Sequence, residues 1–105
     1  MPQFSVHTNP NPDSKANYPY LLDIQSDLMS DLGTRVVVPL TPAAGMKGKA
    51  IETLMPAFKI DGKNHVMVTP QLAGISRKQL GAVVDDLSAR RDEIISALDL
   101  LITGI

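Results

Sequence analysis

The chain has 105 residues, of which 44% are hydrophobic and 20% are charged, with a net charge of −1 and a pI near 6.0. This length suits one compact domain, residues 1–105, and the composition is that of a globular rather than a disordered protein. Lysines and arginines are scattered among acids. A protein that binds nucleic acid on its own is therefore not expected, because phosphate contacts need clustered cations.

The absence of cysteine excludes disulfides, thiol nucleophiles and thiolate metal sites. No apolar run approaches the roughly 18 residues that a membrane-spanning helix needs. The first residues carry neither the basic region nor the apolar region of a secretory signal. We expect a cytoplasmic protein without membrane association.

The first half of the chain predicts three strands. Residues 3–8 ("QFSVHT") alternate between apolar and polar side chains, and residues 18–26 ("YPYLLDIQS") form the next extended run. Residues 35–40 ("RVVVPL") are a continuous β-branched run, which is typical of a buried strand. Residues 9–17 ("NPNPDSKAN") are rich in proline and asparagine and predict a loop.

Residues 56–69 predict a β-hairpin, because Asp61-Gly62 is a type I′ turn signature between two alternating runs. In this pattern His65 is expected to point outward. Residues 75–84 ("ISRKQLGAVV") resemble one more strand, although the alternation slips between Ile75 and Leu80.

The last part of the chain predicts one helix over residues 88–102. Ser88 is the expected N-cap, Asp92 and Glu93 suit the first turn, and Gly104 lies where a glycine commonly ends a helix. Positions three and four apart form a stripe: Leu87, Arg91, Ile94, Leu98, Leu101 and Ile105, widened by Ile95 and Ile102. Together, these elements predict a small, mostly antiparallel, barrel-like sheet of five to seven short strands with one C-terminal helix, mainly β or α+β.

Catalytic and metal sites find little support in the sequence. Asp23 and Asp27 are too far apart along an extended chain to act as a carboxylate pair. His7 and His65 lack the spacing of metal ligands, so neither a metal nor a cofactor is expected. Gly45 and Gly48 are a weak phosphate-binding pattern.

One enzymatic alternative stays open. A ribonuclease site needs a cation beside a general base. Arg35 could lie next to Asp23 or His7 on neighbouring strands and would meet that requirement.

The end of the predicted helix is the stronger functional indication. Leu100, Leu101 and Ile102 make its last turn apolar nearly all round, which one contact face cannot bury. Such an end needs a second surface, either a dimer mate or a target protein.

Several stretches resemble the CcdB family of toxins from bacterial toxin–antitoxin modules. They are "QFSVHT", "PYLLDIQSDLM", "TRVVVPL", "VVDDLSARRDEI" and the terminal "ITGI", in this order and at the family's spacings. The resemblance implies an SH3-like small barrel with a C-terminal helix, shared with the MazF and Kid toxins, and assembled as a homodimer. It covers the whole chain.

The resemblance also implies a function without enzymatic activity. Family members bind the A subunit of DNA gyrase and trap the gyrase–cleaved DNA complex, which blocks replication and transcription. A cognate antitoxin neutralises them through a disordered C-terminal segment, and the loop at residues 9–17 corresponds to the antitoxin-contacting loop. The toxin–antitoxin complex represses its own operon, so DNA is contacted only through the antitoxin or gyrase.

The gyrase-binding residues implied by the resemblance lie at both ends of the chain. The tip consists of Thr103, Gly104 and Ile105, and the flanking or supporting positions are Gln3, Phe4, His7, Ser26, Leu28 and Asp99. Some members carry a tryptophan at the position of Thr103, which can stack on an arginine of gyrase, whereas threonine cannot.

Two alternatives remain at this point. An endoribonuclease of the MazF or Kid type would share the fold. An autoregulatory DNA-binding protein would need a basic surface supplied by an antitoxin.

Overall fold

A computed structural model describes residues 2–29, 32–46 and 53–104 of the chain. The described residues form one seven-stranded antiparallel sheet and a C-terminal α-helix. The elements are β1 (Ser5–Thr8), β2 (Tyr20–Asp23), β3 (Thr34–Pro42), β4 (Ala57–Ile60), β5 (Lys63–Met67), β6 (Ala73–Ser76), β7 (Val83–Asp86) and α1 (Arg91–Thr103). The predicted small barrel-like sheet with one C-terminal helix is confirmed.

The long strand β3 organises the sheet. One of its edges pairs with β2, and its other edge pairs with β6 along the first half and with β5 along the second half. The strand order is β4-β5-β3-β2-β1-β7, with β6 beside β3. This arrangement curls the sheet around one apolar interior.

The core lies between the curled sheet and α1. Most of its side chains come from the five strands β1 to β5 and the helix, and aliphatic residues predominate because the chain has few aromatic ones. The cluster consists of Phe4, Val6, Leu22, Val38, Leu40, Phe58, Ile60, Met67, Leu87, Ile94 and Ala97. Within α1 the buried residues are Ile94, which belongs to the predicted stripe, and Ala97, which does not, whereas Ile102 of the stripe is exposed.

The predicted hairpin is confirmed as β4 and β5. Asp61 and Gly62 both have positive φ, 51° and 77°, as a type I′ turn requires. The expected orientation of His65 is wrong: the side chain is buried, and its ring meets Tyr20 edge to face at 5.0 Å between centroids. The sheet curls there, so both faces of β5 are covered from His65 to Met67.

The single strand predicted over residues 75–84 is wrong. β6 ends at Ser76, a 3-10 turn follows over Arg77–Gln79, and β7 begins at Val83. Ser76 and Gln79 form a capping box, in which Ser76 Oγ accepts the Lys78 N–H and Gln79 Oε1 accepts the Ser76 N–H at 3.1 Å. The slip in alternation between Ile75 and Leu80 marks this turn.

The helix begins later than predicted, and Ser88 is not the N-cap of α1. A 3-10 turn over Ser88–Arg90 precedes α1, and Asp86 Oδ1 accepts the Ser88 N–H at 2.7 Å. Hydrogen bonds from the Ser88 side chain and backbone hold the pKa of Asp86 below its ordinary value. Asp86 therefore caps the turn that leads into the helix. The sequence does not indicate this role, because Asp86 is the last residue of β7.

Charges and glycine suit the two ends of α1 as predicted. Asp92 and Glu93 lie in its first turn. A bidentate ion pair with Arg90 lowers the pKa of Glu93 and raises that of Arg90. At the other end Gly104 adopts φ 73°, and its N–H donates to the carbonyl of Leu100 at 2.9 Å, which closes the last turn.

Candidate functional site

The last turn of α1 exposes apolar surface. Ile102 is 79% exposed, while Leu100 and Leu101 are half-buried, so the sheet covers only part of this turn. Thr103 Oγ1 donates to the carbonyl of Asp99 at 2.6 Å, which ties these two predicted site residues together on consecutive turns. Ile105, the last residue of the predicted tip, lies outside the described residues, as does Gly48 of the weak phosphate-binding pattern.

A second exposed apolar side chain lies on a short turn after β2. Leu28 is 96% exposed and belongs to the 3-10 turn Asp27–Met29, called here the Leu28 turn. Ser26 Oγ accepts the Leu28 N–H at 3.2 Å. The N-terminal segment reaches this region, because the Gln3 N–H donates to Asp27 Oδ1 at 2.7 Å and Gln3 Nε2 donates to the carbonyl of Ile24 at 3.1 Å. The structure thus brings Gln3, Ser26 and Leu28 together.

Phe4 lies inside the fold and does not present its side chain at the surface. Its N–H donates to the carbonyl of Asp23 at 2.6 Å, and its carbonyl accepts the Leu87 N–H at 2.9 Å. The guanidinium carbon of Arg91 lies 5.9 Å from the centre of its ring. Phe4 therefore joins the start of β1 to the region where the helix begins.

His7 is also buried, on β1. Its Nδ1 lies 3.1 Å from the carbonyl of Gly81, and its Nε2 has no hydrogen-bond partner among the described residues. Gly81 packs so closely on Thr8 that a Cβ there would overlap the threonine hydroxyl. His7 thus fixes the segment before β7 against β1 from inside the fold.

The residues considered for a ribonuclease site do meet, but in the interior. Arg35 and Asp23 are fully buried, with Arg35 Nε 2.8 Å from Asp23 Oδ2 and Nη2 3.0 Å from Oδ1. Asp23 Oδ1 also accepts the Gln25 N–H at 3.0 Å. A guanidinium and a carboxylate that hold each other in the core are out of reach of an RNA phosphate, so we assign this pair a structural role.

A groove that the sequence did not predict lies on the outer face of the sheet. Its volume is about 530 Å³, and it opens between the loop after β1 and the 3-10 turn after β6. Pairing of Leu21 with Pro39 and of Val37 with Ala73 places these residues side by side on the floor. The walls contribute polar atoms and one cation from Asn9, Asn11, Ser14, Tyr18, Gln71, Lys78 and Gln79.

The loop wall of the groove is held by its own side chains. Asn9 Nδ2 donates to Ser14 Oγ at 3.0 Å and to the carbonyl of Tyr18 at 2.8 Å, while Asn9 Oδ1 accepts the Asn11 N–H. Thr41 Oγ1 donates to the carbonyl of Asn17 at 2.7 Å and fastens the loop to β3. Asn9 and Asn11 each accept a hydrogen bond from the backbone N–H two residues later in the chain. Asparagines commonly do so in turns, and their presence in this loop is the one indication in the sequence of a preformed wall.

The described residues contain neither a cluster of metal ligands nor a helix that could span a membrane. No group of three or more His, Asp or Glu side chains that could share a metal ion is found in them. Within the same residues, no helix is both long enough and apolar enough to cross a membrane.

The described residues form a small curled β-sheet with one C-terminal helix, whose surface includes an apolar helix end, an exposed leucine turn and a groove on the outer face of the sheet. Residues 3–104 match the family model described as CcdB protein. The match spans nearly the whole chain, and the protein therefore belongs to the CcdB family, the toxins of toxin–antitoxin modules.

Proposed function

We propose that the protein is a toxin that binds the A subunit of DNA gyrase and traps the gyrase–cleaved DNA complex, without being an enzyme. The observation that carries the proposal is the exposed apolar end of α1 in a chain that matches the CcdB family over residues 3–104. This target would place its action in the cytoplasm.

The helix end supports a contact made by the toxin as a homodimer. Ile102 is largely exposed, and the half-buried Leu100 and Leu101 extend the apolar area around the last turn. Contiguous exposed apolar patches mark protein interaction sites in soluble proteins. We propose that part of the patch packs against a second copy and that the tip, Thr103 to Ile105, meets gyrase.

The tip contacts gyrase without an aromatic ring. The Thr103 hydroxyl is already used as a donor to the helix backbone at Asp99. A Cβ added at Gly104 would meet no atom within 4 Å, and the residue has the left-handed backbone that ends the helix. Contact through the glycine backbone and through Ile102 and Ile105 would replace the stacking available to members with a tryptophan.

We propose that a second surface, around Leu28, adds to the contact with gyrase. Leu28, Ser26 and Gln3 form one surface cluster, whereas the side chains of Phe4 and His7 are buried inside the fold. We therefore assign direct contact to Leu28 and a scaffold role to the two buried side chains.

The groove supports a site for the antitoxin. Its apolar floor and polar walls suit an extended peptide, and its loop wall includes residues 9–17, which the family resemblance assigned to the antitoxin. The described hydrogen bonds preform this wall, so little ordering of the toxin would be needed on binding. The resulting complex would repress its own operon, with the antitoxin contacting the DNA.

Ala73→Arg should weaken antitoxin binding without reducing toxicity. Ala73 is exposed on the groove floor, and an arginine there would fill the space. We expect the affinity for a peptide of the antitoxin's C-terminal segment to fall at least about tenfold, while toxicity is retained. Ala57→Arg, at an exposed strand position outside the groove lining, is the matched control. Unchanged neutralisation of the Ala73 variant would exclude the groove.

An endoribonuclease remains the second candidate by fold, but the buried Arg35–Asp23 pair counts against it. Titration calorimetry of the purified protein with gyrase A subunit, beside incubation with RNA alone, distinguishes the two. We expect heat of binding to gyrase A and intact RNA. Cleaved RNA without gyrase binding would refute the proposal.

A further inference from the structure

We propose that Asp27 is a positioning residue that holds the Leu28 turn against the N-terminal segment, so that Leu28 projects in one fixed direction. The carboxylate Oδ1 accepts the Gln3 N–H at 2.7 Å across 24 residues of sequence. Leu28, the next residue, is 96% exposed. The consequence for gyrase affinity rests on the proposed function, whereas the positioning itself does not.

The hydrogen bond from the Gln3 N–H to Asp27 Oδ1, called here the clasp, is one of several restraints on this segment. A short hydrogen bond from a backbone N–H to a carboxylate is stronger than one between neutral groups. Gln3 makes a second contact with the same segment, from its side-chain amide to the carbonyl of Ile24 at 3.1 Å. Ser26 Oγ accepts the Leu28 N–H and gives the turn a further restraint. Two residues that flank Leu28 on its N-terminal side thus restrain it.

The backbone of Phe4 makes the clasp geometrically feasible. Phe4 has φ 70°, a left-handed conformation that is unusual for a bulky residue. It is maintained because its ring is buried and its N–H and carbonyl bond to Asp23 and Leu87. The reversal of direction at Phe4 lets Gln3 leave the line of β1 and lie along residues 24–27. Strain of this kind persists where the surrounding structure enforces it, and it clusters at functional sites.

The clasp is tested first without gyrase, by NMR on the whole protein. In the wild type and in Asp27→Asn, which keeps an acceptor oxygen, we expect the Gln3 amide to be protected from hydrogen exchange. In Asp27→Ala we expect protection to fall and the Leu28 signals to show increased motion. Asp92→Ala, another exposed aspartate, should leave both unchanged. Unchanged Leu28 and Gln3 signals in Asp27→Ala would overturn the proposal.

A double-mutant cycle then tests whether Asp27 acts through Leu28. We expect Asp27→Ala to weaken binding to gyrase A subunit about fivefold, the effect of one net hydrogen bond, and Asp27→Asn to restore it. In a Leu28→Ala background the same change should have little further effect. An equal loss in both backgrounds would show direct contact by Asp27 and contradict a positioning role. If the wild type does not bind gyrase at all, the proposed function fails, while the NMR result still decides the clasp.

Discussion

Deletion of Thr103 to Ile105 is expected to abolish toxicity while leaving the fold intact. The described part of the tip is exposed, and the deletion removes the Thr103–Asp99 and Gly104–Leu100 hydrogen bonds at the very end of the helix. Loss of such exposed contacts should lower the free energy of unfolding by about 1 kcal/mol or less. Growth of cells that express the truncated protein, together with its thermal unfolding curve, provides the measurement.

Gly104→Glu should reproduce the loss of toxicity with the full chain length retained. It places a bulky charge at the centre of the proposed contact, in a left-handed position that glycine favours. Gly45→Glu is the matched control, because Gly45 also has open space around it and lies outside the proposed contact. If the truncated protein still kills cells, or if it fails to fold, the tip is not a dedicated binding element.

Asp23→Ala is expected to cause the largest loss of stability, about 3–5 kcal/mol, because it removes the carboxylate from a buried guanidinium. Arg35 and Asp23 are both fully buried and joined by two hydrogen bonds. For a domain of this size the midpoint of thermal unfolding should fall by roughly 10 °C or more. Chemical denaturation with urea gives the free energy of unfolding directly.

Replacing both charges should recover much of that stability. In Asp23→Leu with Arg35→Met, no buried charge remains, and similar volumes are packed in the core. Asp13→Ala, at an exposed loop position, should change the free energy of unfolding by no more than about 0.5 kcal/mol. A loss for Asp23→Ala as small as that of the control would contradict the structural role of the pair.

The parts of the fold that the sequence predicted well have strong local determinants. The turn at Asp61-Gly62 needs two positive φ angles, which few residue pairs tolerate, and the hairpin followed from it. The apolar side chains of α1 repeat at helical spacing, and Gly104 ends the helix with a left-handed residue. In both places the local pattern and the tertiary structure favour the same conformation.

The sequence-based predictions failed where tertiary contacts, rather than the local sequence, determine the structure. His65 alternates as a surface residue would, yet the curl of the sheet brings Tyr20 against it and buries it. Ser88 has the side chain of an N-cap, but Asp86 caps that turn from the end of β7. The groove is formed by side chains from three strands and three connecting segments, and no local pattern in the sequence encodes such a surface.

The candidate site was accessible from the sequence only in part. The apolar last turn of α1 indicated an interaction surface from periodicity alone, whereas gyrase entered through family resemblance. Neither indicated that Phe4 and His7 would be buried, since residues on both faces of β1 are covered. Neither the periodicity nor the resemblance indicated the positioning role proposed for Asp27, because its contact with Gln3 joins two segments distant in sequence.

The most direct test of the account is the amount of linear DNA that gyrase produces from a supercoiled plasmid in the presence of the protein, measured after denaturation with detergent. We predict that the full-length protein causes linear DNA to accumulate and that the protein lacking Thr103 to Ile105 does not. No increase over gyrase alone, or an equal increase with the truncated protein, would contradict a gyrase poison that acts through its C-terminal tip.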